Sequence, residues 1–373
     1  MTTLTVPQAQ TAPPPLAEAA TYHTRTWLLW LVAAGLGALL TRNPLYLVLV
    51  VLAARAVDAA VAGRATASEP AGDLRRHGWS YFVRAGLVLA AFSAVFNGLG
   101  AHLGATVLFH LPASWPLVGG PLTLEGFAYG ALAGFAILAV LLVAATFNTS
   151  ADTYAMLRAI PPFLAQVGLV TAIALAYVPQ TVVRLREIYE AQQLRGHRFR
   201  GLRSLLPLVV PLLAAGLERA LQLAEAMEAR GFARRRPADG SGARGGTVRL
   251  LLVLGTGGIA VGAFGLLYYR DAPAWGVTGL VLGLAAIGLA LRRLAGLTHQ
   301  TRYRRQVWRP RDTAVSAALL VSLALTAGTA VARPGWWLYV PYPALAWPAF
   351  EPLIGLALLL LAAPALPLLW RHA

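Results

Sequence analysis

Nine apolar runs punctuate the chain: Trp27 to Leu40, Leu45 to Ala62, Ala85 to Leu111, Gly126 to Phe147, Pro162 to Pro179, Leu250 to Tyr269, Ala274 to Leu291, Thr313 to Ala332 and Pro352 to Trp370. Most approach the roughly 20 residues that carry a helix across a bilayer. The first is short for a span at about 1.5 Å of rise per residue, and the second carries Arg55 and Asp58. Pro44 separates the two. Residues 1–26 are polar and contain Pro13-Pro14-Pro15, so they read as a disordered tail. The first run continues into Arg42-Asn43-Pro44 and a second run without a small-residue cleavage site, unlike a secretory signal.

The polar stretches between the runs predict orientation, because short cytoplasmic loops are enriched in basic residues. The segment Arg184 to Arg249 holds 13 Arg, the loop Arg292 to Arg311 holds seven, and Gly63 to Gly78 holds three. By contrast Pro112 to Glu125 has none, and Arg333 to Phe350 is rich in Trp, Tyr and Pro, as at an outer interface. If all nine runs crossed, the basic segments at 63–78 and 184–249 would face opposite sides. One run between them must stay uncrossed, and Pro162 to Pro179 suits this best. It flows past Pro179 into TVVRLREIYEAQQLRG and is preceded by a helix-start pattern, Thr149-Ser150-Ala151-Asp152. The expectation is an all-α polytopic membrane protein of about eight transmembrane helices, with a cytoplasmic helical domain inserted between the fourth and fifth. Its parts are the tail at 1–26, N-terminal spans within 27–147, the cytoplasmic domain at 148–248 and C-terminal spans within 249–373. Both termini fall in the cytoplasm.

Composition narrows the chemistry. The chain is 58% hydrophobic and 12% charged, with 31 basic residues against 15 acidic. Every basic residue is Arg. Without Lys there is no Walker A phosphate loop and no lysine Schiff base. Without Cys there are no disulfides, thiolate nucleophiles or thiolate metal sites. The Arg residues concentrate beside the spans, where topology and anionic lipid account for them, so nucleic acid is not an expected partner.

Two stretches of the cytoplasmic domain resemble each other: Glu190-Ala191-Gln192-Gln193-Leu194-Arg195-Gly196 and, 35 residues on, Glu225-Ala226-Met227-Glu228-Ala229-Arg230-Gly231. Each reads as a helix end. Ala, Gln, Glu and Leu favour helix, Gly supplies the left-handed residue after the last turn, and Arg suits the negative end of the dipole. One reading is that the Arg residues only cap their helices. The repeat favours another, in which two largely apolar helices present paired Arg tips for docking, since the planar guanidinium grips carboxylates bidentately and Arg is a frequent interface anchor. Glu190 and Glu225 lie more than one turn before each Arg and are not its helical partners.

From about Trp27 to Arg235, and most specifically over Thr149 to Arg235, the chain resembles the transmembrane T component of energy-coupling factor (ECF) transporters, which includes the CbiQ-like cobalt-transport permeases. The segment Arg42-Asn43-Pro44-Leu45-Tyr46 belongs to the same resemblance. The family's Ala-Arg-Gly signature stands here as Ala229-Arg230-Gly231, while the first copy, Leu194-Arg195-Gly196, has lost the Ala. The resemblance implies a non-catalytic, cofactor-free subunit of the cell membrane. It would join two cytoplasmic ABC-type ATPases to a substrate-capture membrane subunit for uptake of a vitamin or a transition-metal ion. Arg195 and Gly196 would enter one ATPase, and Ala229, Arg230 and Gly231 the other, supported by Glu190, Ala191, Glu225 and Ala226. Two or three of the runs after Leu250 exceed what the family needs.

Other constellations carry less. His102 and His110 are placed about two turns apart on the third run, where polar residues near an outer interface explain them better than a metal path does. Arg55 and Asp58 are spaced to pair locally. The rival function, a membrane-embedded enzyme acting on a lipid-linked substrate, needs a polar cluster at one interface. The richest acidic set, Glu218, Glu225 and Glu228, has no His nearby.

Overall fold

In the computed structural model, residues 22–62, 70–101, 104–112, 119–160, 165–197, 201, 205–232, 241–268, 273–296 and 307–366 are described. The chain divides into two compact units, Met1–Thr153 with Arg304–Ala373, and Tyr154–Tyr303. Among the described residues it is helical almost throughout, and eight helices are long and apolar enough to cross a membrane.

The first unit holds α1 (Thr24–Leu40), α2 (Pro44–Ala62), α3 (Pro70–Gly100), α4 (Leu124–Ser150), α10 (Pro310–Ala332) and α11 (Pro352–Leu359). Between α3 and α4 lies a small antiparallel hairpin of β1 (Val107–His110) and β2 (Pro121–Thr123). Helix α4 starts where the Thr123 side chain accepts from the Gly126 N–H, an N-cap that pairs one of the orphan donors of the first turn. Its face against α3 is built from Gly126, Gly130 and Gly134, one turn apart. A Cβ on Gly130 would stand 2.4 Å from the Ser93 carbonyl oxygen, and one on Gly134 2.3 Å from the Ala90 Cα. Absent side chains let the two backbones touch, which in lipid is how helices gain packing when there is no hydrophobic drive between them.

Helices α10 and α11 pack against α1 and α2. Side chains in and beside α1 reach backbone carbonyls that flank α11: Trp30 Nε1 donates to Leu361 O at 2.8 Å, Tyr22 OH to Pro364 O at 2.8 Å, and Asn43 Nδ2 to Ala349 O at 2.7 Å. Such bonds satisfy polar groups that lipid cannot. The turns after α1, α3 and α10 gather at one end of this unit. There Arg42 N–H donates to Trp337 O, Ala105 N–H to Pro343 O, and Glu351 N–H to the Tyr46 hydroxyl, while Arg333 pairs with Glu351. At the opposite end His23 meets Asp312, and Thr149 donates to Asp58.

The second unit holds α5 (Thr153–Ala159, whose first residue lies at the boundary), α6 (Ala165–Leu194), α7 (Leu206–Ala229), α8 (Ser241–Tyr268) and α9 (Pro273–Gly296). Helices α8 and α9 form a pair zipped by glycines: a Cβ on Gly262 would lie 2.5 Å from Leu280 N, and one on Gly283 2.7 Å from Gly255 O.

Several boundaries differ from the sequence expectation. The third run ends as helix at Gly100, and His110 stands on β1 rather than on that span; His102 lies outside the described residues. The last run is α-helical over Pro352–Leu359 and continues as a 3-10 turn over Leu360–Ala362. It then meets Pro364, which has no N–H to extend a helix. Thr149 and Ser150 form the last turn of α4, so the helix start lies later, at Thr153. The eight long helices include α6 and α7, whereas α1 and α11 fall short by length. The tail at 1–26 lies outside the described residues up to residue 21, and α1 begins within its last residues, at Thr24.

Candidate functional site

The two Arg-Gly stretches stand at the ends of α6 and α7. At the end of α6 Gly196 has φ +79°, its N–H donates to Gln193 O at 2.9 Å, and the His197 N–H donates to Gln192 O at 3.0 Å. These two bonds around a left-handed residue form a Schellman cap, which pairs carbonyls the last turn leaves free. Arg195 is the capping residue, its own N–H reaching Ala191 O at 3.2 Å. Helix α7 also ends on a left-handed glycine. Arg230 is the C-cap with its N–H on Ala226 O at 3.3 Å, Gly231 has φ +76°, and its N–H donates to Glu228 O at 2.8 Å.

Capping occupies the backbone of these residues and leaves the side chains outside it. Arg195, Arg230, Glu190, Ala191, Glu225, Ala226 and Ala229 are exposed, as is Leu194 at 90%. Among the described residues no ion pair joins Arg195 or Arg230 to a carboxylate. A Cβ at Gly196 or Gly231 would meet nothing within 4 Å, so glycine is required there by backbone conformation rather than by crowding. Each helix therefore ends in a cation that no carboxylate among the described residues neutralises, one residue before an abrupt turn.

The two helices pack on each other along their middles, where Arg219 Cζ lies 5.5 Å from the centroid of the Tyr177 ring. From there α6 continues about 27 Å to Arg195 and α7 about 17 Å to Arg230, at about 1.5 Å per residue. Pro179 and Pro211 lie inside them. Little of either helix is covered by the described residues. None of the span Gln166–Leu194 is buried and only 6% of Leu206–Ala229, with Val170, Val178, Leu213, Leu217 and Leu221 all more than half exposed. Exposed apolar area on this scale marks a surface meant for lipid or another protein. Glu218, Glu225 and Glu228 are exposed on α7.

Asp58 and Arg55 pair as their spacing predicts, at 3.6 Å, and Asp58 also accepts from Thr149 Oγ1 at 3.1 Å. These residues tie α2 to α4. Sequence reasoning passed over a second polar cluster, at the starts of α1 and α10 around Asp312. Its signal was Pro310 at the first helical position with Asp312 in the first turn.

These features define a polytopic helical membrane protein with paired, apolar, cation-tipped helices. A sequence model of the CbiQ family, described as Cobalt transport protein, matches residues 25–238, more than half of the chain, and the chain belongs to that family. It is also similar to proteins named energy-coupling factor transporter transmembrane protein EcfT. The Leuconostoc gelidum subsp. gasicomitatum protein is 40% identical over 75 residues, covering 18% of this chain and 28% of its own length. That of Bacillus selenitireducens is 32% identical over 142 residues, covering 35% and 52%, and that of Exiguobacterium sibiricum 32% over 139 residues, covering 35% and 42%. The chain thus spans about half or less of the length of these relatives.

Proposed function

We propose that this chain is the transmembrane coupling subunit of an ECF-type ABC importer in the cell membrane. It would link two cytoplasmic ATPases to a membrane subunit that captures a vitamin or a transition-metal ion. The observation that carries the reading is the pair α6 and α7: apolar, nearly unburied, and each closed by an Arg that pairs with no carboxylate among the described residues, before a left-handed Gly. An acidic groove in each ATPase would receive one tip, Arg195 in one and Arg230 in the other, with Gly196 and Gly231 turning the chain away and Ala229 keeping the approach close. Movement of the ATPases would pass along the helices to the capture subunit, seated on their apolar faces. The chain performs no chemistry, and the absence of Lys removes the phosphate-loop route to ATP hydrolysis.

The reading places 148–248 and both termini in the cytoplasm. Supporting this, one end of the first unit carries Arg25, Arg55, Arg309 and Arg311 among the described residues, and the other only Arg42 and Arg333. Cysteines introduced at Ser150 and Ser241 of this Cys-free chain should resist an impermeant label applied outside intact cells. Purification through a tag on the full chain should bring down two ATPases and a second membrane protein. Robust ATP turnover by the isolated chain, or outside labelling at both positions, would overturn the proposal.

A further inference from the structure

Two stretches of the first unit hold no Arg, Lys, Asp or Glu: 101–124, around the β1–β2 hairpin, and 334–350, between α10 and α11. Their backbones are tied to each other and to the helix ends. Ala105 N–H donates to Pro343 O at 2.9 Å, Thr106 N–H to the buried Glu125 carboxylate at 3.1 Å, and Arg42 N–H to Trp337 O at 2.8 Å. The Tyr339 hydroxyl donates to Ala346 O at 2.6 Å, and the Tyr129 and Tyr342 rings lie 5.7 Å apart between centroids. Arg333 and Glu351, the charges that flank the second stretch, pair with each other. While these polar groups are satisfied within the unit, apolar side chains stand outward. Leu108, Phe109, Leu338, Val340 and Leu345 are exposed, and Trp347 is 97% exposed. A loop built for water does the reverse.

The level of this surface and its chemistry point to what covers it. Helix α4, of 27 residues, begins here and α10, of 23, ends here. At about 1.5 Å per residue they run about 40 and 35 Å, more than the roughly 30 Å of hydrocarbon a span crosses. Their ends, and the two stretches joined to them, reach the headgroup layer. Trp and Tyr, each an apolar body with one polar group, suit that boundary. With its flanking charges paired, the surface offers a protein partner no ion pair to orient it.

We infer that β1 and the 334–350 segment form an aromatic cap seated in the headgroup–acyl boundary of the bilayer, with Phe109 and Trp347 as its anchors. The inference rests on the chain spanning a membrane and not on the coupling role proposed for α6 and α7.

The test uses the full Cys-free chain with single cysteines, Trp347→Cys or Phe109→Cys, each carrying an NBD fluorophore and reconstituted alone into palmitoyl-oleoyl phosphatidylcholine vesicles. Leu52→Cys, exposed near the middle of the α2 span, gives the deep-lipid reference, and the NBD adduct of free cysteine gives the water reference. Iodide on both sides of the membrane reports water, and phosphatidylcholine carrying a doxyl group near its ester carbonyls reports the boundary. At both cap positions iodide quenching should fall about tenfold below the water reference, because apolar surroundings exclude a charge. The doxyl lipid should quench both labels more strongly than the one on α2. Both positions are exposed, so neither label has to displace packed neighbours. Iodide quenching equal to the water reference would overturn the cap, whether the loop then stays in solvent or is shielded only when the chain is purified with its protein partners. Shielding from iodide and doxyl lipid alike, growing with protein density in the vesicles, would overturn it in favour of a contact between copies.

Discussion

Helices α4 and α6 are both long and apolar, yet half of α4 is buried within the protein and none of the α6 span. The difference lies in what each helix offers a neighbour. Helix α4 has a glycine face that admits the α3 backbone and packs as well against α1 and α2, with Leu142 2% exposed. Helix α6 meets α7 at its middle and otherwise presents Val167, Val170, Val178 and Val182 outward. Hydropathy records that both helices avoid water, and only packing shows which one the chain covers for itself. An apolar helix that its chain leaves bare is built for contacts made elsewhere.

The largest contrast should come from truncating leucines. Leu142→Ala in α4 opens a cavity among packed neighbours and should cost about 2–5 kcal/mol in reversible unfolding of the purified chain. Leu217→Ala in α7, at a largely exposed position, should stay within about 0.5 kcal/mol. Comparable losses at both sites would mean that α7 is part of a core after all.

A smaller effect separates two glycines by sign. Gly134→Ala in α4 drives a methyl into Ala90 and should destabilise by about 1–3 kcal/mol. Gly216→Ala in α7 meets nothing within 4 Å and removes a flexible residue from a helix interior, so it should stabilise by about 0.5–1 kcal/mol. Thermal unfolding of the two variants side by side checks the signs.

The two regions also differ in how far the sequence announces them. The ends of α6 and α7 were legible because capping is local: a helix-favouring run, then Arg, then a Gly in the left-handed region, all within a few residues. The Arg55–Asp58 pair was legible for the same reason. The partnership of α10 and α11 with α1 and α2 was not, because it rests on Trp30, Tyr22 and Asn43 reaching carbonyls of Leu361, Pro364 and Ala349, and a carbonyl belongs to every residue type. Nor did the apolar run through Leu111 reveal that its helix stops at Gly100. Val107, Leu108 and Phe109 are as apolar as a span and form a strand instead, an ambiguity that hydrophobicity alone does not resolve for short runs. The continuous helix expected of the last run gives out before Pro364, a residue visible in the sequence and outweighed there by the hydropathy around it.

If the bare helices are arms that hold the two ATPases, their tips must carry the attachment. Replacing Arg195 and Arg230 together with Ala removes only side chains outside the caps. The isolated chain should then keep its fold within about 1 kcal/mol, since a charge at a helix end contributes no more. Truncating one side of a desolvated charge pair costs about 2–5 kcal/mol of binding, so each single variant should weaken the complex and the double variant should abolish it. Arg→Lys at either position keeps the charge and loses the bidentate fork, and should fall between. The decisive measurement is quantitative co-purification of both ATPases with the tagged double-Ala variant, alongside substrate uptake in the same cells. Loss of both ATPases and of uptake from a normally expressed, folded chain is the predicted result; retention of both with uptake intact would contradict the docking of these tips.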